Sequence, residues 1–307
     1  MATTISTLDA GQFMATERPT THQVFRGNAA GRQQDLLERE FFGRVVLPNG
    51  TVKSTNANRM NDLNAAALPF VEQFAKQPVQ IMDVGISSGV STVEWYEQLS
   101  GAGIGCQIVA TDLTVYASLL TLGSNFGALI DRHRNILHLD IMGRGAPPSA
   151  KGVQGLFAAV VRMAFRAAMA VDRSLPPLRG QTQECANGML LKCEPVSLLT
   201  KKMTQQSSLQ VVEDDLVTSD KPEFKEAFHV VRAANILNRA YFADATLLQM
   251  LDKLKNRLKP NGVLIVCRTN DEGINNGTIF RRVADRQFQV LTRVGSGSEI
   301  EDLLPMV

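Results

Sequence analysis

One stretch constrains this chain more than any other: a strand, a glycine turn, a helix and a second strand, all between residues 79 and 113. Val79–Val84 (VQIMDV) is an apolar run of strand length that ends at Gly85. Val90–Leu99 (VSTVEWYEQL) has helical spacing, and Cys106–Leu113 (CQIVATDL) is again strand-like. A βαβ unit of this kind implies a right-handed crossover and a parallel sheet. Parallel strands are buried on both faces, so helices must cover both. The alternation resumes at Leu209–Leu216, Phe228–Val231, a helix over Thr246–Leu258 and a strand at Val263–Arg268. Thr278–Val283 and Phe288–Val294 are expected to close the sheet as an antiparallel pair. The fold class expected is α/β: a doubly wound, Rossmann-like sheet with an antiparallel C-terminal strand, an N-terminal helical cap and a helical insert.

The expected domain boundaries are a tail and cap over 1–75 and a main domain over 76–307, interrupted by an insert at 114–204. Met1–Thr21 has no apolar core of the signal-peptide kind and is expected as a flexible tail. A helix is expected over 32–44, followed by a small hairpin around Pro48-Asn49-Gly50. A second helix, over 59–75, should break near Pro69. In the insert, Tyr116–Phe126 reads as a helix, 128–141 as two short strands, and 152–171 as a long apolar helix ended by Pro176-Pro177. A strand is expected at Met189–Lys192.

Composition excludes several classes. Of 307 residues 44% are apolar and 20% charged, which suits a packed globular chain rather than a disordered one. The net charge of +2 gives no reason to expect a nucleic-acid partner. The charge is unevenly spread, however: the insert carries eleven Lys and Arg against five Asp and Glu. The run Gly155–Val171 is interrupted by Arg162 and Arg166, so it is expected to pack as core or lid, with membrane-surface contact as the lesser alternative. Cys106, Cys185, Cys193 and Cys267 have no metal-binding spacing, so no metal is expected; free thiols in a reducing cytoplasm are.

The chemistry centres on Asp83-Val84-Gly85-Ile86-Ser87-Ser88-Gly89, between strand and helix. Gly85 permits a tight turn, and the helix start beyond Gly89 offers backbone N–H donors to a ligand. Asp112 ends the next strand, where an acid can accept both hydroxyls of a ribose. That arrangement suits NAD or S-adenosylmethionine (SAM). The loop lacks G-x-G-x-x-G spacing, since Ser87 stands at the second glycine, and Asp83 disfavours phosphates. Leu258-Lys259-Pro260-Asn261-Gly262 then leads directly into a strand.

With Glu213-Asp214-Asp215-Leu216 and Asn235-Ile236-Leu237, these segments resemble the ordered motifs of class I SAM-dependent methyltransferases over about 79–113 and 205–270. The resemblance implies SAM as cofactor and a role for each matched residue. Gly85, Ser87 and Gly89 would surround the methionine part, and Asp83 would meet its amino group. Asp112 would bind the ribose. Asp215 would receive the adenine amino group, with Asp214 as the alternative, and Leu216 would flank the ring. Ala233 and Asn235 would lie near the methionine end. There is no Asp-Pro-Pro-Tyr or Asn-Pro-Pro-Tyr motif after the fourth strand, which argues against nucleobase and glutamine amino groups as acceptors.

The resulting expectation is methyl transfer to a small-molecule or lipid-like acceptor held under the insert and cap. A nicotinamide-dependent oxidoreductase and a non-catalytic interaction module remain the alternatives. No general base is nominated among His22, His133, His138 and His229; Arg239 and Tyr241 are the candidates for substrate contact.

Overall fold

The computed structural model describes residues 18–53, 56–148, 152–172, 190–283 and 287–305. In chain order the elements begin with α1 (Thr21–Arg26), α2 (Gly31–Phe42), α3 (Asn61–Glu72), β1 (Val79–Val84), α4 (Val90–Gly101) and β2 (Cys106–Asp112). Next come β3 (Tyr116–Leu122), β4 (Phe126–Ile130), β5 (Ile136–Ile141), β6 (Arg144–Ala146), α5 (Gly152–Val171), β7 (Lys192–Ser197) and α6 (Lys201–Gln205). The last are β8 (Leu209–Glu213), β9 (Phe228–Ala234), α7 (Asp244–Arg257), β10 (Leu258–Thr269), β11 (Asn275–Arg282) and β12 (Phe288–Val294). They form two units. One comprises Thr55–Tyr116 with Ser197–Val307, the other Met1–Ser54 with Ala117–Val196. The expected cap is therefore divided: its residues up to 54 go with the insert, and α3 goes with the main sheet.

The main unit is a seven-stranded sheet in the order β8-β2-β1-β9-β10-β11-β12. The first five strands are parallel, β11 runs antiparallel to β10, and β12 antiparallel to β11. Side chains alternate across the pleat as a period of two requires. Val79, Ile81, Val230, Val263 and Ile265 pack on one face with α3 and α4 residues such as Leu63 and Trp95. Met82, Val84, Val231, Leu264 and Val266 pack on the other with Leu247, Leu251 and Leu254 of α7. Helix α3 runs straight through Pro69 instead of breaking. The carbonyl that loses its hydrogen bond there belongs to Ala65, an exposed residue, so water can satisfy it.

The second unit carries a five-stranded sheet in the order β6-β5-β4-β3-β7. The insert thus holds strands as well as its helix. Tyr116–Phe126 is not helical: β3 and β4 form a hairpin across Gly123, which adopts φ +62. Its apolar residues are buried on both faces of the hairpin, so the run shows no clean period of two. Helix α5 lays Ala158, Val161, Phe165, Ala168 and Met169 on Leu120, Ala128, Ile130 and Leu139. Its opposite face is open, with Leu156 72% and Val171 71% exposed and Phe157, Val160 and Met163 between them. The helix expected to be buried all round is therefore half covered. Pro176-Pro177 lies outside the described residues, as does the tail up to residue 17. Thr20 of the expected tail is instead a capping residue, accepting from Gln23 N–H at the start of α1. The strand expected at 189–192 begins at Lys192.

Free thiols remain at Cys106 and Cys267, and burial pushes Cys267 up to about 12. Cys193 is disulfide-bonded, which corrects the expectation of four free thiols. Among the described residues no helix is long and apolar enough to cross a membrane.

Candidate functional site

Strand order reverses at β1. The chain passes from β1 to β2 and then to β8 on one side, while β9 and β10 lie on the other. In open α/β sheets this switch point opens a crevice at the carboxyl ends of the strands, where ligands bind. The loop 85–89 occupies that edge. Gly85 (φ +71), Ser87 (φ +58) and Gly89 (φ +88) all adopt left-handed backbone, and Gly89 caps α4. Gly85 and Ile86 N–H donate to Thr111 O at 2.7 and 3.1 Å, continuing the β1–β2 pairing into the turn.

Asp112 fixes the loop. Its Oδ2 accepts from Ser87 N–H at 2.7 Å and its Oδ1 from Thr114 N–H at 3.2 Å. The first bond offsets the cost of a left-handed serine, of order 1–3 kcal/mol. On the loop's other side, Thr200 N–H, at the start of α6, donates to Ser88 O at 2.9 Å.

The chain itself accounts for both glycines. A Cβ on Gly85 would lie 1.5 Å from Ile236 Cδ1, and one on Gly89 would lie 2.6 Å from Met203 Cγ. Ile236 and Met203 pack where side chains would otherwise stand.

Asp83 is not open to a ligand. Its Oδ1 accepts from Arg232 Nε at 2.9 Å, and its Oδ2 accepts from Arg232 Nη2 at 2.6 Å and Thr92 Oγ1 at 2.7 Å. Register places Asp83 directly opposite Arg232 on neighbouring strands. Arg232, 1% exposed, also donates to Asn64 Oδ1 and Ser91 O and stacks over Trp95, 4.1 Å from the ring centroid. The sequence does contain the signal for this pair: a single arginine inside the apolar strand FHVVRAA must find a buried acid.

The acids after β8 are sorted by the same logic. Asp214 is buried and pairs with Arg257 Nη1 at 2.6 Å. Asp215 is half-buried, and its oxygens accept from Val217 N–H and Thr218 Oγ1 in a tight turn. Leu216 packs into the core with Val212 and Phe224. Asn235 (φ +61) follows β9 and accepts from Thr269 N–H at 2.6 Å. Gly85, Ser87, Gly89, Asp112 and Asn235 are thereby placed at the carboxyl edge of the sheet.

His229 Nδ1 accepts from Gln80 N–H at 2.9 Å, near the start of β1 and so at the opposite edge. Arg239 is held by Asp244, Asp302 and the Glu299 carbonyl, whereas Tyr241 is exposed. His133 and His138 belong to the second unit, where His138 stacks on Phe41 with centroids 4.7 Å apart.

No protein-family model and no curated protein sequence matches the chain. Solved structures that it resembles include the CMeT domain of the citrinin polyketide synthase, 14% identical, with 68% of this chain and 35% of that chain covered and a TM-score of 0.32. N-methyltransferase NodS from Bradyrhizobium japonicum WM9, in complex with S-adenosyl-l-homocysteine, is 9% identical with 75% and 71% covered and a TM-score of 0.33. The 1,6-didemethyltoxoflavin-N1-methyltransferase of Burkholderia thailandensis is 11% identical with 81% and 66% covered and a TM-score of 0.34. The chain spans about a third of the length of the first of these. Its sheet order, with the glycine loop at the β1 switch point, is that of a Rossmann-like α/β fold.

Proposed function

We propose that the chain is a SAM-dependent methyltransferase acting on a small-molecule or lipid-like acceptor. The carrying observation is the Asp112 carboxylate at the end of β2, bonded to Ser87 N–H of the switch-point loop. That places an acid beside a turn at the carboxyl edge of the sheet. In this reading Asp112 receives the ribose hydroxyls, Asp215 the adenine amino group, and the loop backbone flanks the thioether end. Asp214 is engaged by Arg257 and leaves the adenine role to Asp215. The bound cofactor would supply a methyl group on a sulfonium; the protein's part is to position the acceptor in line with it. The acceptor class rests on the insert, whose long helix is apolar and whose charge is positive.

A second reading, a methyltransferase-like module without turnover, is favoured by Ile236 and Met203, which fill the space beside Gly85 and Gly89. Calorimetric titration with SAM and S-adenosylhomocysteine tests both readings. Micromolar binding that falls 10-fold or more in Asp112→Ala supports the proposed site, since a hydrogen bond to a charged group contributes about 1.5–3 kcal/mol. Binding of NAD without SAM, or of neither, refutes the site. SAM binding with no methyl transfer to any acceptor in an extract would favour the module.

A further inference from the structure

The Asp83–Arg232 pair removes the acid that should meet the cofactor's ammonium, so the amino-acid end of SAM needs other partners. Two charged side chains at the same edge are without ion pairs among the described residues. Arg59 is half-buried, and its Nε is sealed from solvent with no hydrogen-bond partner. Such a sealed donor is destabilising unless something accepts from it. Burial, followed by the nearby charge of Arg232, holds its guanidinium below the ordinary arginine value. Glu94, in the second turn of α4, is also half-buried, and burial raises its carboxyl above the usual range.

The backbone at Arg59 is tied to the edge from both sides. Asn58 N–H donates to Glu94 Oε1 at 2.7 Å. Arg59 O accepts from Asn275 Nδ2, Asn275 Oδ1 accepts from Thr269 Oγ1 at 2.8 Å, and Thr269 N–H reaches Asn235 Oδ1. This chain of bonds anchors Arg59 to the carboxyl ends of β9 and β10, while Glu94 anchors it to the helix that starts at the glycine loop. Cys267, near the end of β10, Glu94 and Asp83 are close enough to Arg59 for their charges to act on it, so the guanidinium and the Glu94 carboxyl lie within electrostatic reach of each other.

We propose that Arg59 and Glu94 form a subsite for a zwitterionic amino acid group, the guanidinium holding the cofactor's carboxylate and the Glu94 carboxylate holding its ammonium. An α-amino acid presents opposite charges a few ångströms apart and would neutralise both half-buried groups at once. Arginine suits the carboxylate because its fork donates two parallel bonds. The subsite rests on the SAM reading but assigns its methionine end to residues outside the motifs that suggested it.

The test compares S-adenosylhomocysteine with 5′-methylthioadenosine, which keeps the nucleoside and thioether but has no amino acid group. Calorimetry is run on the full chain, on Arg59→Gln and on Glu94→Gln. Each variant should weaken S-adenosylhomocysteine at least 10-fold and leave 5′-methylthioadenosine within 2-fold, and Arg59→Lys should restore part of the loss. Unfolding midpoints within error of the parent show that the variants are folded. Unchanged affinity for S-adenosylhomocysteine in Arg59→Gln, or an equal loss for both ligands, overturns the subsite while the cofactor reading stands. A loss in Arg59→Gln alone overturns the ammonium half. A parent chain that binds neither ligand overturns the cofactor reading together with the subsite.

Discussion

The sharpest stability prediction concerns Arg232→Met. In the native chain this guanidinium is sealed from water, donates twice to Asp83 and once each to Asn64 and Ser91, and lies over Trp95. Truncation leaves the Asp83 carboxylate buried with only Thr92 Oγ1 as donor, and strips Asn64 Oδ1 of its partner. Breaking one side of a buried ion pair costs about 3–5 kcal/mol. Adding Asp83→Asn removes the stranded charge and keeps an acceptor for Thr92. The double variant should then lose only about 1–3 kcal/mol, the scale of an orphaned neutral polar group. The coupling between the two substitutions is thus at least about 2 kcal/mol, well beyond the few tenths expected of independent sites. The chain has a single tryptophan, and it is Trp95, so urea unfolding followed by fluorescence reads the affected unit directly. A cost below about 1 kcal/mol for Arg232→Met, or additive single-variant costs, would refute the assignment of a desolvated pair.

Gly85→Ala should destabilise by more than 1 kcal/mol, from a left-handed alanine and a clash with Ile236 Cδ1, and adding Ile236→Ala should recover the clash part; equal stability of the two would contradict the packing. Phe165→Ala, under α5, should cost about 3–5 kcal/mol, seen as faster amide exchange in α5 than in β1. His229 gives a pH signature: burial first and Lys259 second lower its folded value below the ordinary 6.5, so the unfolded chain binds the proton more readily. That contribution is complete above the unfolded value and is lost as pH falls below about 6.5 towards the folded one. Replacing His229 with Asn should flatten the stability profile between pH 7 and 5, and an unaltered slope would count against it.

Local signals were legible where one residue type has one structural answer. Gly85, Gly89 and Asp112 lie where a strand–turn–helix–strand reading puts them, because positive φ and a strand-end acid are local requirements. Long-range partners were not. Arg232 is 149 residues from Asp83, and only sheet register brings them together, which is why Asp83 read as a ligand group. Asp215 stood first for the adenine role with Asp214 as its alternative, and only the fold shows that Arg257 engages Asp214. Tyr116–Phe126 misled because a hairpin buried on both faces has no polar stripe. Pro69 misled because its consequence depends on whether the orphaned carbonyl faces water. The half-open face of α5 could not be read from composition, which reports apolarity but not cover.

The two units interleave along the chain, each built from two separate segments. During synthesis the second unit is complete once Val196 has emerged, while the main sheet still lacks β8 to β12. Its strands β1 and β2 must therefore wait with unpaired edges and a bare α4 face until the last third of the chain arrives. Exposed strand edges and uncovered apolar faces of this kind favour aggregation in chains of this size. It also follows that no single cut releases either unit whole: a stand-alone main domain would need residues 55–116 joined to 197–307 by a designed bridge in place of the second unit's return segment.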